Sequence, residues 1–149
     1  MANYDSWMVT EKTFAVKDPE AFKRELRASE VSEADSCGYD GLCYEQEPDG
    51  RFWLGGYNAS LSTWDSEKDA EIDIIPIIQK HIKDGEVAIF MSIGQEKLRF
   101  VDGFVTVVTN EKTEHGDLHS LAEMLVRKIT PRNQRILNKL KHGKDIVIE

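Results

Sequence analysis

Two histidines and two cysteines are the residues of this chain best suited to bind a transition metal. His115 and His119 are four positions apart, a spacing that brings both imidazoles to one face of a helix, and Cys37 with Cys43 would complete a four-ligand zinc site. However, five residues separate the two cysteines, where two to four are usual. Polar residues at a helix start also commonly act as caps. We therefore predict no metal site.

Nucleophilic catalysis requires a cysteine or serine that a positioned base activates. Cys43 falls in a predicted strand, where a free cysteine is usually an inert small hydrophobe. The chain contains no GxSxG, P-loop, GxGxxG or HExxH motif. Pairs of carboxylates such as Asp69 and Glu71 are expected by chance among 27 acidic residues. The sequence thus predicts no catalytic residue and no cofactor, and a non-enzymatic role is favoured.

Length and composition favour one globular domain. The 149 residues suit a single core, and 40% hydrophobic with 31% charged residues is typical of a soluble protein. We expect one domain over residues 1–129 and a basic helical appendage over residues 130–149. No apolar run approaches the ~18 residues of a membrane span, and the N-terminus shows no signal-peptide pattern. A cytoplasmic protein with reduced thiols and no membrane contact is predicted.

The acidic and basic residues are divided unevenly along the chain. The net charge is −8, but residues 1–75 hold 17 acidic and 7 basic residues, whereas residues 76–149 hold 10 and 12. Residues 30–49 carry seven acids and no base, and residues 127–144 carry seven bases and no acid. Such blocks form solvated faces or interaction surfaces.

Periodicity and turn residues predict three main helices and five strands. The strands are 7–16, 42–47, 51–57, 86–93 and 97–109, and the helices are 19–29, 73–83 and 114–129, with a short basic helix at 133–141. The strand at 97–109 is either one long strand bulged at Asp102-Gly103 or two strands joined there. In the third helix, a stripe at Leu118, Leu121, Leu125 and Ile129 is expected to be buried.

The order β-α-β-β-α-β-β-α predicts an α+β fold. It indicates an antiparallel sheet of 4–6 strands with helices on one face, ferredoxin-like in outline. This outline carries no function, since many functions share it.

Three groups of residues are predicted to bind a partner. Acids between residues 30 and 73 form an acidic face, aromatic residues of the segment Phe52–Trp64 supply interface anchors, and charged residues occupy a hairpin tip at 94–100. The predicted binding residues are Glu30, Glu33, Asp35, Asp40, Glu45, Glu47, Trp53, Tyr57, Trp64, Asp65, Asp69, Glu96, Lys97 and Arg99.

These features favour an acidic protein-binding module, an adaptor or inhibitor that engages a basic protein surface. Mimicry of nucleic acid charge is one form of this hypothesis. The alternatives are a small enzyme or ligand-binding domain with a pocket near Tyr57–Trp64, and a nucleic-acid binder that uses the basic residues 127–144. Strong nucleic acid binding is disfavoured because the acidic half repels phosphates. We expect the basic helix to pack on its own domain or on the acidic loop of another copy, which would give a homo-oligomer.

Overall fold

The computed structural model describes residues 4–96 and 100–129 of the chain. Nine strands and four helices are present in these ranges. The strands are β1 Tyr4–Lys12, β2 Ser32–Glu33, β3 Cys43–Gln46, β4 Phe52–Tyr57, β5 Ser62–Asp65, β6 Ala70–Asp73, β7 Ala88–Glu96, β8 Phe100–Val108 and β9 Thr113–Asp117. The helices are α1 Pro19–Ala28, α2 Ala34–Cys37, α3 Ile75–His81 and α4 Leu118–Ile129.

Seven of the strands form one mixed sheet in the order β2-β3-β4-β1-β7-β8-β9, and β5 and β6 form a separate two-stranded sheet. The pair β2–β3 is parallel, and the other pairs are antiparallel. The predicted ferredoxin-like sheet of 4–6 antiparallel strands with helices on one face is therefore wrong. Short strands with weak sequence signals, β2, β5, β6 and β9, account for most of the difference.

Helices α1 and α3 cover one side of the sheet, which we call the inner face. Asp18 caps α1, because its carboxylate accepts a hydrogen bond from the Ala21 N–H at 3.2 Å. The ring of Phe22 on α1 lies 4.9 Å from that of Phe52 on β4, and both side chains are fully buried. With Phe14 and Phe90 they form an aromatic centre of the core.

The hairpin β5–β6 extends the inner side of the molecule. Thr63 donates a hydrogen bond to the Ser29 carbonyl at 2.5 Å, which fixes the hairpin to the end of α1. Leu61 and Ile72 pack against the core. The segment between the predicted strand at 51–57 and the predicted helix at 73–83, for which no strand was predicted, thus forms an ordered hairpin.

Strand β8 is a single strand without a break at Gly103. Its register with β7 runs continuously from Phe100 opposite Glu96 to Val108 opposite Ala88. This settles the alternative that the sequence left open in favour of one long strand, and no register shift marks a bulge at Asp102-Gly103.

The predicted helix at 114–129 begins later than expected. Residues Thr113–Asp117 form β9 against β8, and α4 starts at Leu118, where Asp117 accepts a hydrogen bond from the Ser120 N–H at 2.6 Å. Helix α4 lies on the side of the sheet opposite to α1 and α3, the outer face. The Leu118 side chain covers Gly103 so closely that a Cβ there would be 2.6 Å from it. The expected buried stripe of α4 is wrong, because none of its residues is buried.

Candidate functional site

Tyr39 is the centre of an acidic cluster on the surface beside β3 and β4. Its hydroxyl lies 3.5 Å from Oε2 of Glu45. The negative charge of Glu45 raises the pKa of Tyr39 most strongly, and burial and the charges of Asp35 and Glu47 raise it further. Three carboxylates from α2, β3 and the following turn therefore act on one phenol. We call Tyr39 and these three acids the Tyr39 cluster.

The backbone around Tyr39 is strained and is held by hydrogen bonds. Tyr39 has a φ of 67°, which is uncommon for a bulky residue. Its carbonyl accepts a hydrogen bond from the Tyr57 N–H at 2.7 Å, and the Gly41 N–H donates to the Tyr57 carbonyl at 2.9 Å. Gly56 permits this close approach, because a Cβ at that position would lie 2.0 Å from the Gly41 carbonyl oxygen. Strain of this kind is often associated with functional sites.

Trp53 joins the Tyr39 cluster to the outer face of the sheet. Its ring meets Tyr39 edge to face with centroids 5.8 Å apart, and it is opposite Glu45 in the β3–β4 register. Because Phe52 and Leu54 point into the core, Trp53 points outward. Its indole lies over Gly55, where a Cβ would be 2.7 Å from the ring. The aromatic segment thus supplies both core and surface rings.

A second acidic contact lies at the neighbouring end of β4. The Tyr57 hydroxyl donates a hydrogen bond to Asp5 Oδ1 at 2.6 Å, and this bond is the main cause of a raised pKa at Tyr57. The charge of Asp40 raises it further. The Trp7 ring packs on Tyr57 with centroids 4.6 Å apart. Aromatic rings and carboxylates therefore alternate along this edge of the outer face.

The acids of the Tyr39 cluster have no cationic partner at ion-pair distance among the described residues. The ion pairs of Lys and Arg in these ranges join other carboxylates, as in Arg51–Glu86 at 2.5 Å and Lys80–Glu25 at 3.2 Å. Within the described residues, no ion pair therefore compensates the negative charge of the cluster.

The other predicted binding residues are dispersed. Glu30 follows α1, Glu33 is in β2, and Asp40 lies beside Tyr57. Trp64 and Asp65 belong to the β5–β6 hairpin on the inner side, and Asp69 is in its turn. Asp65 accepts hydrogen bonds from the Glu67 and Lys68 amides, so it shapes that turn. Glu96 ends β7, and Lys97 and Arg99 lie outside the described residues.

These positions divide the expected acidic face in two. The Tyr39 cluster lies with Trp53 on the outer side, whereas the acids of residues 65–73 lie on the hairpin that packs against the inner side. Tyr57 and Trp64, the proposed borders of a ligand pocket, are likewise on different sides of the sheet.

The sequence analysis did not predict an apolar groove of about 700 Å³ that lies between α4 and the strands β1, β7 and β8. Trp7, Val9, Met91 and Ile93 form its floor, and α4 forms one wall. A strand with one solvated face alternates apolar with polar residues, but β1 and β7 carry apolar side chains on both faces, as Met8 and Trp7 show on β1. That excess of apolar residues was the available signal.

The residues considered for zinc are far apart. Cys43 is in β3 and His115 in β9, five strand spacings away across the sheet, which corresponds to about 24 Å. His115 contacts Thr106, with Nδ1 and Oγ1 at 3.1 Å. Cys43 is disulfide-bonded, so the prediction of a reduced thiol at this position is wrong.

No family model matches the chain, and neither a curated protein nor a solved structure shows significant similarity to it. Among residues 4–96 and 100–129, no helix has the length and apolarity needed to cross a bilayer. The cytoplasmic location stays a prediction.

Proposed function

We propose that this protein is a non-enzymatic binding module that uses the Tyr39 cluster to engage a basic surface of a partner protein. The observation that carries the proposal is three carboxylates around one exposed tyrosine, without a cationic partner among the described side chains. The charges of these carboxylates act on the Tyr39 hydroxyl, which raises its pKa. An arginine or lysine of a partner would find negative charge and an exposed ring side by side.

The aromatic residues beside these acids give the surface its anchors. Tyr39 is 42% exposed, and Trp53 supports it from the strand below. Tyr and Trp are enriched among residues that dominate interface energies, and arginine side chains stack on their rings. A loop with arginine or lysine residues therefore fits this surface through both charge and stacking.

The class of partner follows from the same chemistry. A protein groove that binds nucleic acid presents rows of arginine and lysine, and carboxylates replace phosphates as their counter-charge. In this form the protein is an inhibitor that competes with nucleic acid for the groove. Steering by opposite charges would make association fast at low ionic strength and slower as salt rises.

The test compares two variants of equal net charge. In the first, Asp35→Asn, Glu45→Gln and Glu47→Gln neutralise the Tyr39 cluster. In the control, Glu67→Gln, Asp69→Asn and Glu71→Gln neutralise three acids of the β5–β6 hairpin, so both variants have a net charge of −5 instead of −8.

Each immobilised protein is exposed to extract of its native host at about 50 mM and about 500 mM salt, and the captured proteins are identified. We expect the wild type and the control to retain a basic protein at low salt and the first variant to lose it, with duplex DNA displacing it. Capture that is equal for both variants, or no basic protein at low salt, would refute the proposal.

A further inference from the structure

The outer face carries more exposed apolar surface than an isolated domain of this size normally shows. Ten large hydrophobic side chains on β1, β7, β8 and α4 are 42–79% exposed. We call them the apolar outer surface: Trp7, Val9, Met91, Ile93, Val101, Leu118, Leu121, Met124, Leu125 and Ile129. If each of the ten large side chains has roughly 150 Å² of surface and about half of it is exposed, together they expose about 750 Å². Typical largest patches on monomers are about 300–600 Å².

We propose that this surface is the interface of a symmetric homodimer in which α4 of each copy lies in the groove of the other. The estimated area agrees with the approximately 800 Å² per partner of a standard stable interface. A two-fold axis makes the contact reciprocal, since each copy offers one groove and one helix.

The groove has the width of one helix. Helix α4 is seated over β8, where Leu118 covers Gly103. The next two strands, β7 and β1, carry Ile93 and Trp7 in register with Gly103, and neighbouring strands are about 4.8 Å apart. A second helix packs about 8–10 Å from the first, which places it over β7 and β1. The uncovered strip therefore accepts one further helix beside α4.

Helix α4 of a second copy suits this strip. It presents Met124, Leu125 and Ile129, which are 61%, 49% and 79% exposed. Its charged pair Glu123–Arg127 is already joined at 2.7 Å within the helix. The strand residues that form the floor of the groove, Trp7, Val9, Met91 and Ile93, are uncharged, and Asp117 is the one acid that lines it among the described residues.

Residues 130–149 of the same chain are the alternative occupant. The sequence places six large apolar residues in this segment: Ile136, Leu137 and Leu140 in the predicted basic helix, and Ile146, Val147 and Ile148 after it. In that arrangement six apolar side chains would oppose the ten of the apolar outer surface, whereas in the reciprocal dimer ten oppose ten. The estimated area therefore favours the second copy.

Sedimentation equilibrium of the full chain at about 1–100 µM tests the proposal. We expect twice the monomer mass of 17.0 kDa, both at low and at high salt. The single variants Ile93→Glu and Met124→Glu each place two carboxylates, one from each copy, in the dimer contact. Each variant should therefore weaken dimerisation at least about 100-fold. Both side chains are more than half exposed in the single chain, so the monomer should still fold. Circular dichroism verifies this.

The matched control is Trp64→Glu, which changes a 56% exposed residue on the β5–β6 hairpin and should leave the dimer intact. A double variant with Ile136→Glu and Leu140→Glu should also remain dimeric. A monomeric wild type, dimers that survive both Ile93→Glu and Met124→Glu, or loss of the dimer in the double variant would overturn the proposal. The result is independent of the Tyr39 cluster, because apolar association persists in high salt.

Discussion

The hydroxyl of Thr10 on β1 makes hydrogen bonds with the backbone of β4, in place of backbone hydrogen bonds between the two strands. It donates to the Leu54 carbonyl at 2.6 Å and accepts from the Leu54 N–H at 2.7 Å. The two strands share only the register pairs Trp7–Tyr57 and Met8–Gly56. Thr10 is buried, so water does not replace its hydroxyl. We predict that Thr10→Val, which keeps the shape and removes the hydroxyl, destabilises the protein strongly.

The expected loss follows from the two backbone groups that Thr10→Val leaves without a partner. An unsatisfied buried donor or acceptor costs about 1–3 kcal/mol, so the free energy of unfolding should fall by about 2–4 kcal/mol after partial relaxation. This is a large share of the roughly 5–15 kcal/mol of a typical domain. Urea denaturation at neutral pH measures it from the shift of the midpoint.

Thr10→Ser is the matched control. It keeps the hydroxyl and removes one methyl group, at a cost of about 1 kcal/mol. If Thr10→Val lost less than about 1 kcal/mol, or no more than Thr10→Ser, the assigned role of the hydroxyl would be incorrect.

Two further predictions concern backbone packing and pH. Gly56→Ala should lower the free energy of unfolding by about 3 kcal/mol or more, because the new Cβ meets a carbonyl oxygen at 2.0 Å. Gly38→Ala has open space around it and should lower it by about 1 kcal/mol. Thermal unfolding of the two variants measures the difference. A hydrogen bond from the Ala15 N–H lowers the pKa of Glu86 most strongly; burial opposes this, and a hydrogen bond from Arg51 lowers the pKa further. The ionised carboxylate therefore stabilises the fold fully at pH values above the ordinary glutamate pKa of about 4.3. Glu86→Gln should therefore be less stable than wild type at pH 7, and the difference should shrink as the pH falls through the lowered pKa; a constant difference down to pH 2 would contradict this.

Local sequence signals were reliable where a few residues decide the structure. The predicted helix start at residue 19 is confirmed, because Asp18 and Pro19 have the residue types of a helix cap and a first turn, and the predicted strands 42–47 and 51–57 are confirmed as the β3–β4 hairpin. Strand β9 was not predicted because its residues Thr113–Asp117 have weak strand propensity. They form a strand by pairing with the edge of β8. Tertiary pairing of this kind leaves no pattern in the segment itself.

The candidate site was predictable in its residue types but not in its grouping. Asp35, Glu45 and Glu47 were chosen together with acids of the β5–β6 hairpin, since charge along the chain does not show which face of a sheet a residue occupies. The role of Tyr39 was missed because its left-handed backbone depends on contacts with β4. The apolar stripe of α4 was recognised, but periodicity does not distinguish burial within one chain from burial between chains.

The two-residue strand β2 has a consequence for the behaviour of the protein at high concentration. A sheet that ends in a long, flat, uncapped strand recruits further chains and grows into fibrils. Here the outermost strand at that end comprises only Ser32 and Glu33, and the chain leaves the sheet at once into α2. So short a template, with a glutamate in it, gives an incoming strand almost no ladder to extend, which disfavours edge-to-edge association at this end of the sheet.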